Sequence, residues 1–251
     1  MQHDRTCWRQ WKRFFQGRKE RALPKLEVSE QYDDLPPSLA KSLAIFQLGE
    51  SGGGTVVEQA GNSSISGIDR HYADAMDLFV KEEHRHAELL AICVRNLGGT
   101  LIRSNWTAKL FVFARRLIGL RLKVLVLLAA EVVGICYYHL LATRLPRTRL
   151  QALLADIVND ERAHLYFHCD LLRSQVTSFP RRLIFTVTWR ATMFAAAIVV
   201  LIDHRHALRD LKIDVGTVWR RWMAYSRLAE RLVVDTRPAR LADGWMRHVE
   251  I

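Results

Sequence analysis

The amino-acid sequence predicts an all-α fold whose centre is a four-helix bundle. In four long segments, apolar residues recur every three or four positions, the spacing that places them on one face of an α-helix. Prolines or clusters of Gly, Ser and Asn separate these segments, as is typical of turns between helices. The chain has 251 residues, of which 49% are hydrophobic. It can therefore bury one full core and retain about 75 residues beyond a bundle of this kind.

The segment over residues 150–172 directs ionisable side chains toward the expected core. Its inward positions are occupied, in order, by Leu150, Leu153, Ile157, Glu161, His164, His168 and Leu171. A charged group is costly to bury unless another group compensates it. Glu161 and His164, three residues apart on one helix face, can bind a metal ion from the same side. This pair is the first sign of a metal site.

A second segment, residues 67–99, repeats this arrangement. Its inward stripe comprises Tyr72, Met76, Phe79, Glu83, His86, Leu90, Cys93 and Leu97. Two further helices each offer one carboxylate, since Glu131 lies within an otherwise apolar segment and Glu50 follows an apolar stripe that begins at Leu39. The spacings of about 30, 50 and 30 residues between these groups suit two antiparallel helix pairs joined by one long crossover.

The four helices together supply six candidate metal ligands, in the order Glu50, Glu83, His86, Glu131, Glu161 and His164. This order resembles that of the ferritin-like di-iron carboxylate proteins, a superfamily that includes rubrerythrins, bacterioferritins, demethoxyubiquinone hydroxylase and the tRNA-hydroxylating di-iron enzymes. The resemblance covers roughly residues 36 to 175 and implies that these six residues bind two metal ions. It favours two iron ions, with manganese as the alternative. The candidate bridging carboxylates are Glu83 with Glu131, or Glu50 with Glu161.

In the superfamily that this site resembles, a reduced iron pair activates dioxygen. The resemblance favours an oxidoreductase that takes electrons from an external donor and acts as a monooxygenase or desaturase. An apolar C-terminal run and aromatic basic helices favour a small apolar substrate that is delivered from a membrane surface. The alternatives are a ferroxidase or peroxide-scavenging protein and a nucleic-acid-acting di-iron hydroxylase. The sequence has no nucleic-acid recognition motif, so nucleic acid is the least favoured partner.

Three further features concern the surroundings of the ligands. Tyr138 is either a catalytic residue that donates a hydrogen bond or an electron, or a core tyrosine. His168 is either a partner of a metal ligand or an ordinary core or surface histidine. A helix predicted over residues 38–60 contains three glycines, 52–54, which either leave space for a substrate beside Glu50 or break the helix.

The net charge and the cysteines indicate the partner and the cellular compartment of the protein. The net charge of +11 indicates an acidic partner, either an anionic membrane or nucleic acid, unless the excess only keeps the surface soluble. The four cysteines form no Cys-x-x-Cys pair, which is typical of reduced residues in a cytoplasmic protein. The first 25 residues lack the apolar core of a secretory signal, so export is not expected.

The chain divides into three predicted parts: a basic amphipathic segment with a linker (1–35), the di-metal bundle (36–175) and C-terminal apolar and basic helices (176–251). The aromatic residues of the first part are Trp8, Trp11, Phe14 and Phe15. Their interleaving with arginines and lysines suits either a membrane interface or packing on the bundle or a second subunit.

The C-terminal part contains an apolar run, Leu183–Ile202, that is long enough to span a bilayer. Arg190 within it favours packing on the bundle or lying in the membrane interface over a true span. A basic amphipathic helix with Trp219 and Trp222 is predicted over residues 211–234. These features predict peripheral attachment to the inner membrane face, with a homodimer as the alternative use of the same surfaces.

Overall fold

The computed structural model describes residues 2–19, 21, 32, 34–52, 54–106, 109, 119–145 and 149–235, with side chains except at residues 2–7 and 54. Within these residues the protein is helical and contains no β-strand, so the predicted all-α class is confirmed. In chain order the helices are α1 (Gln2–Arg18), α2 (Pro37–Glu50), α3 (Gly54–Gly61), α4 (Arg70–Asn96), α5 (Leu120–Arg144), α6 (Arg149–Gln175), α7 (Phe179–Asp203), α8 (Arg205–Asp210) and α9 (Val215–Val234). Most of the predicted crossover and the whole C-terminal tail from residue 236 lie outside the described residues.

The N-terminal helix α1 packs against α4 and α6 with its aromatic rings turned inward. Trp8, Trp11 and Phe15 are buried, and the Trp8 ring meets Tyr72 of α4 edge-on at 4.8 Å. The Trp11 indole Nε1 donates a hydrogen bond to Asp170 Oδ2 of α6, at 2.8 Å. Of the two uses predicted for these aromatic residues, packing on neighbouring helices is the one that the structure shows. Trp8, Trp11 and Phe15 therefore do not present their rings to a membrane surface.

The helices that carry the candidate ligands pack mainly in two pairs, α5 along α6 and α2 along α4. Helix α4 begins where the Asp69 side chain accepts a hydrogen bond from the Tyr72 amide, at 3.1 Å. It ends before Gly98, whose φ of +68° lies in the left-handed region, as is common for a glycine just after a helix. A Cβ atom at Gly99 would lie 2.6 Å from Cβ of Ala40, so this glycine allows close approach to α2.

The predicted continuous helix over residues 38–60 is wrong, because the chain forms two helices there. Helix α2 ends at Glu50, where the Ser51 hydroxyl donates to the carbonyl of Leu48 at 2.8 Å, and α3 begins at Gly54. Consecutive glycines lose much backbone entropy in a helix and bury no side chain, which favours the break. Glu50 consequently sits at a helix end, and Gly53 lies outside the described residues.

The C-terminal helices cover part of the ligand-bearing helices α5 and α6. Helix α9 packs on α5 and α6, and α7 packs on α5 and α9. The basic helix predicted over residues 211–234 begins at Val215, where the Asp214 side chain accepts from the Thr217 amide, and it buries Trp222. By length and composition α5 and α7 are both able to cross a membrane, but α5 is a largely buried core helix whereas α7 is mostly exposed.

Candidate metal centre

Helices α4 and α6 bring together four buried side chains that can hold a metal ion. Glu83 and His86 come from α4, and Glu161 and His164 come from α6. Each offers one ligand atom, and these atoms all lie within 4.8 Å of one another. The three-residue spacing in each helix directs both ligands from the same face, which is why the two helices can enclose a common point.

Within this cluster both imidazoles face carboxylates of both helices. His164 Nδ1 lies 2.9 Å from Glu83 Oε1 and 3.1 Å from Glu161 Oε2. His86 Nδ1 lies 3.2 Å from Glu161 Oε1 and 3.6 Å from Glu83 Oε1. Even so, among the described residues His86 Nδ1 and the Oε1 atoms of Glu83 and Glu161 have no aligned hydrogen-bond partner. These three atoms are potential metal ligands that converge without hydrogen bonds to one another. Such an arrangement suits a cation between them.

Glu131 of α5 lies at the edge of the cluster. Its Oε2 atom is 3.8 Å from His164 Nδ1, and its Oε1 atom is 3.3 Å from His168 Nε2. It is buried, and its charge adds to the effect of burial in raising the pKa of Glu161. His168 is likewise buried, and burial together with the charge of His164 lowers its pKa to about 3. It therefore stays neutral beside Glu131, and among the described residues neither of its ring nitrogens has an aligned hydrogen-bond partner.

Glu50 approaches the cluster from the C-terminal end of α2. The residue is partly exposed, but its carboxyl group lies in the interior, where Tyr138 Oη donates to Oε1 at 2.9 Å. Burial raises the pKa of Glu50 well above its usual range, and the charges of Glu83 and Glu161 act in the same direction. The structure thus brings all six predicted ligands to one region and places Tyr138 against one of them.

A second pair of carboxylates holds the outer nitrogen of each imidazole. Glu82 Oε2 of α4 lies 3.0 Å from His164 Nε2 of α6. Asp160 Oδ2 of α6 lies 3.1 Å from His86 Nε2 of α4. An ionised carboxylate can only accept a hydrogen bond, so each imidazole donates from Nε2 and directs Nδ1 toward the cluster.

Arginines cover these outer carboxylates. Arg18 of α1 pairs with Glu82 at 3.0 Å and also contacts Asp160. Arg21, which follows α1, lies 2.5 Å from both of these carboxylates. Arg85 of α4 completes the layer through Asp160 and Asp156 of α6. The N-terminal helix is therefore part of the surroundings of the metal ligands.

The protonation of the cluster follows from its crowding. Burial and the charges of Glu161 and Glu131 raise the pKa of Glu83 to about 7. Burial disfavours the charged form of His164, but the carboxylates around it outweigh this effect and raise its pKa well above the usual range. Burial also opposes ionisation of Glu82, yet the hydrogen bond and charge of His164 and the charge of Arg18 hold the pKa of Glu82 far below normal. Protons thus partly occupy the place of a cation, and metal binding would release them.

The outer carboxylates and arginines were not predicted, although the sequence carries a signal for the carboxylates. In both helices an acidic residue directly precedes the ligand glutamate, giving Glu82-Glu83 and Asp160-Glu161. Adjacent residues on a helix point about 100° apart, so the first of each pair faces the neighbouring helix. The contribution of Arg18 and Arg21 depends on how α1 docks, which no local pattern specifies.

Comparisons of this chain with protein-family models, with curated proteins and with solved structures found no match. The function is therefore inferred from the geometry of the cluster itself. A cleft of about 490 Å³ is lined by Ser64–Ser66 and Gly119–Leu122 and includes none of the candidate ligands.

Proposed function

We propose that this protein is a ferritin-like di-iron oxidoreductase that activates dioxygen and hydroxylates or desaturates a small apolar substrate. The observation that carries the proposal is the convergence of two Glu-x-x-His pairs in one buried cluster. Glu131 and Glu50, from two further helices, lie beside this cluster and complete the donor set of a dinuclear carboxylate site.

Charge balance supports two divalent cations. Three outer acids, Glu82, Asp156 and Asp160, pair with three arginines. Among the described residues the four inner glutamates have no paired lysine or arginine and face only the two imidazoles, so burying their charges uncompensated would be costly. Two divalent ions would neutralise them. Carboxylate oxygens with imidazole nitrogens suit iron or manganese.

The residues around the ligands have distinct tasks in this proposal. Glu82 and Asp160 fix the imidazole rings through Nε2, which keeps both Nδ1 atoms directed inward. Apolar packing, with the Phe79 ring 4.7 Å from that of His164, keeps bulk water from the ligands. Tyr138 donates a hydrogen bond to Glu50 and so fixes that carboxyl group. A bound iron pair would supply the electrons that reduce dioxygen, and an external donor would restore them.

Anaerobic loading with ferrous iron, followed by metal analysis, tests the ligand set. We expect two iron ions per chain in the wild-type protein and the loss of at least one in Glu161→Ala or His86→Ala. Glu88→Ala is the matched control, because Glu88 is an exposed carboxylate of the same helix α4. Full occupancy of both ions in either ligand variant would contradict the proposed site.

Oxygen consumption by the loaded protein tests the reaction. An oxygenase consumes dioxygen continuously when a reductant and an apolar substrate are supplied, and mass spectrometry then finds a hydroxylated or desaturated product. A ferroxidase consumes oxidant in proportion to the ferrous iron that is added. A peroxide-scavenging protein reduces peroxide as long as reductant is supplied, and neither protein yields an oxidised apolar product. Either of these results would replace the oxygenase by this alternative without altering the ligand set.

A further inference from the structure

Helix α7 presents a continuous apolar face to solvent. Its exposed large side chains are Phe179, Leu183, Ile184, Val187, Phe194, Ile198 and Ile202. Their exposed fractions range from 39% at Ile198 to 78% at Phe179. The opposite side of the same helix is buried through Phe185, Trp189 and Met193. Isolated apolar residues are normal on a protein surface, but a contiguous stripe of this kind indicates a binding surface.

The face is uncharged over most of its length. From Leu183 to Ile202 it extends for about 30 Å, at 1.5 Å per residue. Arg190 lies between Val187 and Phe194, with 69% of its side chain exposed, and pairs with Glu230 of α9 at 2.8 and 2.9 Å. Asp203 ends the helix and accepts a hydrogen bond from Asn105 at 2.8 Å. Apart from Arg190, the exposed positions from Leu183 to Ile202 are all apolar, so their contact with water is unfavourable.

Basic residues bracket the stripe at both ends. Arg181 lies in the first turn of the helix, and Arg205 and Arg209 follow it, all of them exposed, with Arg209 also 3.1 Å from Asp210. The chain as a whole carries a net charge of +11. A planar surface that is apolar beneath and anionic at its headgroups complements this pattern, since each basic residue near such a surface contributes about 1 kcal/mol before screening.

We propose that this outer face of α7 rests on an anionic lipid bilayer, with the helix parallel to the membrane plane. A spanning orientation would detach the inner side of the helix, where Trp189 Nε1 donates to the carbonyl of Ser226 at 3.0 Å. It would also break the Arg190–Glu230 pair and carry Arg190 into the hydrocarbon region. In the parallel orientation both contacts persist.

A second copy of this chain is the other possible occupant. A helix face about 30 Å long and about 12 Å wide offers roughly 350 Å². A stable protein interface buries about 800 Å² on each partner. The α7 face alone falls short of that area, whereas a bilayer requires no minimum patch. The surface also stands apart from the proposed chemistry, since none of the six candidate ligands lies on α7.

Flotation with lipid vesicles tests the proposal. We expect the full-length protein to float with vesicles of phosphatidylcholine and phosphatidylglycerol in equal parts, and to remain partly bound at high salt because of the apolar face. Val187→Glu combined with Ile198→Glu should reduce the bound fraction more than about tenfold, since two apolar contacts are replaced by charges that the lipid repels. Both positions are exposed, so the variant is expected to fold, which circular dichroism checks.

Ala152→Glu combined with Ala155→Glu is the matched control, because it makes the same charge change at exposed positions of α6. It should bind within about twofold of wild type, because α6 does not contribute to the face. Arg205→Gln with Arg209→Gln should weaken binding to the mixed vesicles and leave binding to pure phosphatidylcholine unchanged. Wild-type protein that fails to float with the mixed vesicles at both low and high salt would overturn the proposal. So would equal loss of binding in the α6 control, or a dimer that the α7 variant converts to a monomer.

Discussion

Glu82 of α4 and His164 of α6 are joined by a hydrogen bond of 3.0 Å, and Asp160 and His86 repeat this bond in the opposite direction between the same helices. Each helix therefore supplies one ligand imidazole and the carboxylate that orients the imidazole of the other. The two helices depend on each other for the direction of their ligands, and neither alone forms a complete half-site.

The reciprocal bonds predict that Glu82→Ala weakens metal binding although Glu82 is not itself a ligand. We expect a loss of affinity of about 10- to 100-fold, the usual cost of removing such a partner. Glu82→Gln should lose less, since its amide oxygen can still accept from His164 Nε2. Competition with a chelator of known affinity measures both, with Glu88→Ala as control. Equal affinities in all three variants would show that the outer carboxylate does not orient the ligand.

Metal removal should lower thermal stability. A cation that binds only the folded state stabilises it by about 4 kcal/mol at a thousandfold excess over its dissociation constant. For a chain of this length that corresponds to a shift in melting temperature of roughly 10 °C. Calorimetry with ferrous iron and with a chelator, both without oxygen, measures the shift, and Glu161→Ala should show almost none. Identical melting temperatures for the wild-type protein under the two conditions would argue against the site.

The variant Tyr138→Phe tests whether Tyr138 is a catalytic residue or only a core residue. The ring is fully buried against Phe46, so the phenylalanine variant keeps the packing and loses only the hydrogen bond to Glu50. We expect unchanged iron content and a loss of about 1 kcal/mol of folding stability. If Tyr138 takes part in the reaction, substrate oxidation falls by tenfold or more at full iron content. Unaltered turnover would make Tyr138 a structural residue and remove it from the proposed catalytic set.

His204 should make the fold sensitive to mild acid. Its Nδ1 atom lies 2.8 Å from Ser42 Oγ, and burial lowers its pKa to about 4, against the opposing effect of Asp203. In the unfolded chain the imidazole of His204 takes up a proton near pH 6.5. The stability that depends on neutral His204 is therefore fully present above that pH and declines as the pH falls toward 4. Urea unfolding should show about 2 kcal/mol less stability at pH 5 than at pH 7 from this group. The free energy of unfolding of His204→Gln should fall less between pH 7 and pH 5, by that same amount. Parallel plots of stability against pH for the variant and the wild-type protein would contradict the role of His204.

The ligand-bearing faces were predictable because helical periodicity alone decides which residues share a side. Glu161 and His164 continue a stripe of leucines and isoleucine, so their inward position follows from the sequence around them. The same rule places Tyr138 on the inner side of α5, and it is buried there. Information of this kind is local, and it requires no knowledge of how the helices are arranged.

The arrangement of α1 was not predictable in the same way. Trp8, Trp11 and Phe15 among arginines suit a lipid surface as well as they suit an acidic protein surface. What decides between them is that Glu82 and Asp160 meet on neighbouring helices and need cationic partners, a fact of tertiary structure. The glycine break after Glu50 also depended on context, because a glycine triplet can be tolerated in a helix or can end it.

The docking of α1 has a consequence for the order of assembly during synthesis. Trp11 and its partner Asp170 are separated by 159 residues. At the usual rate of translation, about 5–20 residues per second, α1 leaves the ribosome roughly 10–30 seconds before its partner on α6 exists. Its contacts with α6 form only after that time, whereas Tyr72 and Phe79 of α4 emerge earlier and can pack against Trp8 and Phe15. The contacts of Arg18 and Arg21 with Asp160 are therefore completed only when α6 has emerged. A nascent chain stalled before α6 would leave the Trp11 indole without Asp170.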